Sequence, residues 1–124
     1  MSTLTRRFDT LCLRFKLSLF PLFPAAPRIF IPNQSGTRDT ETSFPCHVWG
    51  FYPSDITIQW LRDGLVLTES TYSPLQRNLD GTYNLTLTYT FIPIVEDKGS
   101  ILTCSVSHSS LAQPLQEEFT LDWT

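Results

Sequence analysis

From residue 28 to residue 121 apolar side chains return at every second position, and that period limits what the chain can fold into. The longest stretch is 82–91, where Tyr83, Leu85, Leu87, Tyr89 and Phe91 fall on one side. Thr82, Asn84, Thr86, Thr88 and Thr90 fall on the other. Successive side chains of a strand point to opposite faces, so this segment reads as a half-buried β-strand. The same alternation recurs at Ile29 and Ile31, at Phe44, Cys46 and Val48, and at Ile56, Ile58 and Trp60. It returns at Leu102, Cys104 and Val106 and at Phe119 and Leu121. Turn formers separate these runs: Pro53-Ser54-Asp55, Asp63-Gly64, Asp80-Gly81 and Asp97-Lys98-Gly99. Short strands with regular turn punctuation indicate an all-β sandwich or barrel.

Composition agrees. Aromatics make up 13% of the 124 residues and Met occurs once, a mix that suits strands better than helices. A chain of this length builds one well-buried core. Residues 1–40 carry six Lys/Arg against two Asp, and residues 41–124 carry three against ten Asp/Glu. An acidic main body excludes nucleic acid as the expected partner. No apolar run reaches the roughly 20 residues of a bilayer span. Membrane attachment is therefore expected only through a segment absent from this chain.

Residues 1–26 break the period. Arg14, Lys16 and Pro21 interrupt a Leu/Phe-rich stretch, and the mostly apolar run 17–23 is barely as long as the centre of a secretory leader. Pro27 follows Ala25-Ala26, where a leader would be cut. The segment is a weak signal-peptide candidate, expected to be an irregular, poorly ordered extension. The folded domain is drawn from residue 27 to residue 124.

Of the three cysteines, Cys46 and Cys104 each lie on the apolar face of an alternating strand, while Cys12 lies in the extension. That arrangement suggests one bridge and a leftover thiol; two unpaired core cysteines are the alternative. Trp60 follows Cys46 by fourteen residues and also points inward. In a two-sheet sandwich, a bridge between facing sheets with a Trp packed on it is the immunoglobulin core. A bridge would put the chain in an oxidising compartment. Two sequons, Asn33-Gln34-Ser35 and Asn84-Leu85-Thr86, are candidate N-glycosylation sites suited to that compartment.

With these residues placed, the sequence resembles the constant-type (C1) immunoglobulin domains of antibodies and histocompatibility proteins. The first motif is Cys46-His47-Val48-Trp49-Gly50-Phe51-Tyr52-Pro53, followed by Asp55-Ile56-Thr57-Ile58-Gln59-Trp60. The second, Cys104-Ser105-Val106-Ser107-His108, is similar to the family's C-x-V-x-H, and Asp80-Gly81-Thr82-Tyr83 to its D-x-T-[YF] strand start. Trp60, Tyr83, Val106 and His108 are thus the expected core signature. The string His47–Pro53 looks most like class II beta chains of the DM type. The resemblance implies a Greek-key sandwich and a role as membrane-proximal domain of a class II beta-like chain. It also implies an alpha-type chain as heterodimer partner, antigen processing as the setting, and an extracellular or endosomal lumen as location. A stand-alone adhesion or receptor module is the alternative function. Two departures stand out. Leu102 replaces the Tyr usual two residues before the second cysteine, and Pro45 sits beside Cys46, which requires an edge-like or bulged position.

Catalytic chemistry finds no support. There is no GxSxG, HExxH or phosphate-cradling Gly loop. Cys104 and His108 share a face, but His47 lies opposite Cys46, too few convergent ligands for a metal. No cofactor and no small-molecule substrate are expected. Glu96-Asp97 reads as a solvated turn and Glu117-Glu118 as a solvated edge. Function is then expected in surfaces. The Thr-rich face of 82–90 is either an ordinary wet sheet or a docking face, and the aromatics of 49–53 are expected to pack the end of the sandwich.

Overall fold

The computed structural model describes residues 24–123. Cys12 and the leader candidate lie outside the described residues, as does the extension up to residue 23. Nine strands follow in order: β1 (Arg28–Phe30), β2 (Thr42–Phe51), β3 (Ile56–Arg62), β4 (Leu65–Leu67), β5 (Thr71–Tyr72), β6 (Gln76–Arg77), β7 (Tyr83–Phe91), β8 (Ile101–His108) and β9 (Leu115–Thr120). A single 3-10 turn, Val95–Asp97, lies between β7 and β8. One sheet runs β1-β2-β7-β5, with β6 also on β7; the other runs β4-β3-β8-β9. Every strand pair is antiparallel. This is the two-sheet sandwich that the alternation requires, since each sheet has one apolar face to bury.

The core lies between the sheets. Phe44, Cys46 and Val48 of β2 face Ile58 and Trp60 of β3 and Leu102, Cys104 and Val106 of β8, all buried. Cys46 and Cys104 form a disulfide across the sheets with Cα atoms 6.4 Å apart, closing a loop of 58 residues. The Trp60 ring is fully buried, and its indole Nε1–H donates to the Leu87 carbonyl at 2.9 Å, so the ring's polar atom is satisfied. Leu102 is also fully buried, opposite Phe119 on β9.

Pro45 has a local explanation. β1 covers only His47–Trp49 of β2, so Pro45 lies past the end of that partner strand. Ser43, two residues earlier and oriented alike, gives its carbonyl to Asn33 Nδ2 at 3.1 Å instead of to a strand. The N–H that proline lacks would have had no ladder acceptor there. At the other end, β2 runs further than its alternation. Gly50, at φ +77°, makes a bulge that shifts the register between Trp49 and Phe51. Ala25 and Tyr52 exchange both backbone hydrogen bonds, at 2.9 and 3.1 Å, so pairing begins just ahead of residue 27.

One expectation is corrected. Asp97 is not part of a solvated turn: it is only 7% exposed. Its carboxylate pairs with Arg62 on β3 and accepts the Ile94 backbone N–H at 2.8 Å. The Arg62 guanidinium also donates to Ser100 at 3.2 Å and lies 5.5 Å from the centre of the Phe91 ring. Arg62 belongs to one sheet and Phe91 to the other, so the guanidinium bridges the sandwich at this end, held against the ring by the Asp97 carboxylate.

Candidate functional site

The outer face of the five-stranded sheet is built by the side chains that β1, β2 and β7 turn away from the core. Phe30 and Arg28 on β1 stand opposite His47 and Trp49 on β2. His47 and Trp49 in turn stand opposite Thr86 and Asn84 on β7. Gln76 on β6 continues the Asn84 row. Phe30 is 54% exposed and Trp49 37%. The Phe30 and His47 rings stack, 6.4 Å apart and 20° from parallel.

The polar groups among them are largely occupied with one another. His47 Nδ1 and Thr86 Oγ1 share a hydrogen bond of 2.8 Å, and Ser43 and Thr90 share one of 2.9 Å between their hydroxyls. Asn78 Nδ2 donates to Asn84 Oδ1 at 3.0 Å. Satisfied polar groups cost little to cover, whereas unpaired ones resist burial. A hollow of about 390 Å³ opens between His47, Trp49, Gln76, Asn84 and Thr86. A smaller one of about 160 Å³ continues it towards Ser73 and Pro74. The arrangement is two exposed aromatic rings beside a hollow on a largely internally bonded polar surface.

The other residues singled out by sequence sit elsewhere. Trp60, Val106 and His108 are in the core, and Tyr83 packs half-buried against Phe51 with ring centres 6.2 Å apart. His108 takes no part in a metal cluster. Ser110 N–H donates to its Nδ1 at 3.1 Å, so its Nε2–H is the donor to the Pro53 carbonyl at 2.8 Å. Among the described residues no group of three His, Cys, Asp or Glu side chains could hold a metal. Phe51 and Tyr52 pack the end of the sandwich against Tyr83, but Trp49 faces outward. Asn33 lies in the segment after β1, its amide donating to Ser43. Sequence reading missed Phe30. Its signal was parity: a large aromatic placed between Ile29 and Ile31, on the polar side of the alternation.

The immunoglobulin C1-set domain profile matches residues 28–111, covering most of the strands just described. The chain belongs to the immunoglobulin C1-set family. Domains of this family are non-enzymatic, and the disulfide-bonded sandwich puts this one on the extracellular or lumenal side of a membrane system. Natural cytotoxicity triggering receptor 3 ligand 1 of Homo sapiens is 33% identical over 96 residues, covering 72% of this chain and 21% of that protein. The class II beta-1 chain of Spalax ehrenbergi is 32% identical over 102 residues, 80% of this chain and 36% of its own length. The class II DM beta chain of Homo sapiens is 35% identical over 77 residues, 60% and 28% respectively. The C1-set chain thus spans 21–36% of the length of these relatives and is distantly related both to class II beta chains and to other immunoglobulin C1 proteins.

Proposed function

We propose that this chain is a pairing module, the membrane-proximal immunoglobulin domain of a class II beta-like chain. In this reading it docks a class II alpha-type immunoglobulin domain on the outer face of its five-stranded sheet, in the endosomal or extracellular lumen, and so supports antigen processing and presentation. The carrying observation is the pair of exposed rings, Phe30 and Trp49, on a face whose polar groups are largely bonded to one another. Covering the two half-exposed rings would contribute about 2–3 kcal/mol, enough to favour this face over a purely polar one. Relatedness to class II beta chains supplies the choice of partner. The finer DM-type reading rests on the string His47–Pro53. Identity adds nothing to it, since DM beta at 35% and a DQ beta chain at 34% stand level.

The second reading, a stand-alone adhesion or receptor module, is favoured by the relative that is a receptor ligand. One experiment separates the two. The chain, refolded from bacteria with its disulfide formed, is mixed with a class II alpha-type immunoglobulin domain and examined by sedimentation velocity. A one-to-one complex is expected, lost in Phe30→Asp and Trp49→Glu and kept in Gln59→Glu, which alters the opposite sheet. No complex, or one indifferent to Trp49 and Phe30, returns the chain to the adhesion reading.

A further inference from the structure

The sequon Asn84-Leu85-Thr86 lies within β7, not in a loop. Its parity puts Asn84 and Thr86 on the outer face, directly across from Trp49 and His47. Asn84 Oδ1 is held by Asn78 Nδ2 at 3.0 Å. An amide so held directs its own Nδ2 away from Asn78, and that nitrogen makes no hydrogen bond among the described residues. Beside it is the hollow of about 390 Å³, within the roughly 300–1,000 Å³ range of ligand-sized cavities. Its walls are an aromatic ring, Trp49, and polar groups of Gln76 and His47. A pyranose ring matches both, with C–H faces that stack on aromatics and hydroxyls that bond to amides and imidazoles.

We infer that Asn84 is an N-glycan acceptor whose first sugars lie over Trp49, and that this glycan and a docked immunoglobulin domain exclude each other on the outer face of the five-stranded sheet, so that pairing in the lumen is confined to chains left unglycosylated at Asn84. The second half rests on the pairing reading above; the first does not. In the transfer, Asn84 Nδ2 forms a bond to C1 of a sugar carried on a polyprenyl diphosphate. The C1–O bond to the diphosphate breaks, the lipid diphosphate leaves, and Nδ2 loses one proton and keeps the other. Thr86, whose hydroxyl the sequon requires, is bonded to His47 in the folded sheet, and β7 is flanked by β2 on one side and by β5 and β6 on the other. Transfer therefore precedes closure of the sheet, and the hollow is what lets the fold close with the sugar in place. Asn33 offers a contrast: its segment lies beyond the end of β1, and its Nδ2 donates to the Ser43 carbonyl, a bond that one retained proton can still make. A glycan there would leave the face open.

The test uses the full chain sent through a secretory host behind a fused leader. Peptide mapping after amidase removal of the glycan in heavy-oxygen water reads occupancy at Asn84. Conversion of Asn84 is expected, absent in Asn84→Gln and Thr86→Ala and restored in Thr86→Ser. An unmodified Asn84 overturns the site and leaves the pairing reading standing. The same secreted chain and the chain refolded from bacteria, which carries no glycan and keeps Asn84, are then each titrated with the alpha-type domain. Affinity is expected to be more than about tenfold higher for the unglycosylated form. Equal affinity with Asn84 occupied overturns the exclusion. Binding by neither form overturns the pairing reading and the exclusion with it, while the peptide map still decides the site.

Discussion

The two sheets of this sandwich obey one rule inward and different rules outward. On the four-stranded sheet the outward positions along the middle of β3 and β8 are Thr57, Gln59, Thr103, Ser105 and Ser107, with Gln116 and Glu118 on β9 beside them. Apolar side chains, Leu61, Val66 and the exposed Ile101, face outward only at its end, where β4 joins. On the five-stranded sheet the outward row carries Phe30, His47, Trp49 and Asn84, and no carboxylate. Both faces satisfy the same period of two, because alternation is imposed by the core and is indifferent to what points away from it. The lesson is that partner surfaces are recognised by which residues break the polar expectation outward, not by the period.

The largest test removes what the two faces share. Replacing Cys46 and Cys104 together by Ala should cost about 4 kcal/mol, the chain-entropy value for a loop of this length. Urea unfolding should show one transition with a lowered midpoint, both faces failing together. Two separated transitions would mean that the sheets are independent units and that the comparison is one between domains.

A smaller effect is expected at the clasp. Asp97→Ala leaves Arg62 without its carboxylate and the Ile94 N–H without its acceptor, a loss of about 2–4 kcal/mol. Glu96→Ala, its exposed neighbour, should stay within about 0.5 kcal/mol. Equal effects from the two substitutions would show that Asp97 does not hold Arg62 between the sheets at this end.

The smallest effect is at the entrance to β7, the strand that carries the outward Asn84 row. Asp80 is exposed. It accepts hydrogen bonds from the Thr82 hydroxyl at 2.6 Å and the Thr82 N–H at 2.9 Å, and these hold its carboxyl below the usual 3.8. A folded-state pKa below the unfolded one means that the added stability is present above 3.8 and is lost as pH falls through the lower folded value. Asp80→Asn should therefore lower the melting temperature slightly at neutral pH and not at strongly acidic pH. A constant difference across the range would assign the effect to turn geometry instead of charge.

Much of the fold was legible because its cause is local and repeated. Phe44, Cys46, Val48, Ile58, Trp60, Leu87, Cys104 and Val106 could be placed inward by parity, and all are buried. The turns ending in glycine were legible because Gly64, Gly81 and Gly99 take positive φ, which other residues resist. The short strands β4, β5 and β6 were not legible, since two or three residues hold no period. Tyr72 shows what decides them: its hydroxyl bonds both the N–H and the carbonyl of Ile58, filling an edge of β3 left open by β4.

Which side chains go inward, and with that the sandwich and its Cys–Trp–Cys core, is written in the chain's own order. Those follow from periodicity and from the cost of exposing apolar groups, both of which can be counted along the chain. Company across sequence distance is a matter of the fold. Asp97 looked like a solvated acid until Arg62, 35 residues away, came to rest beside it. Asn84 looked like an isolated sequon until strand pairing set it across from Trp49 and over a hollow. Electrostatics, hydrogen bonding and steric access act through a few ångströms of space, and neighbours at that range are assigned by the fold.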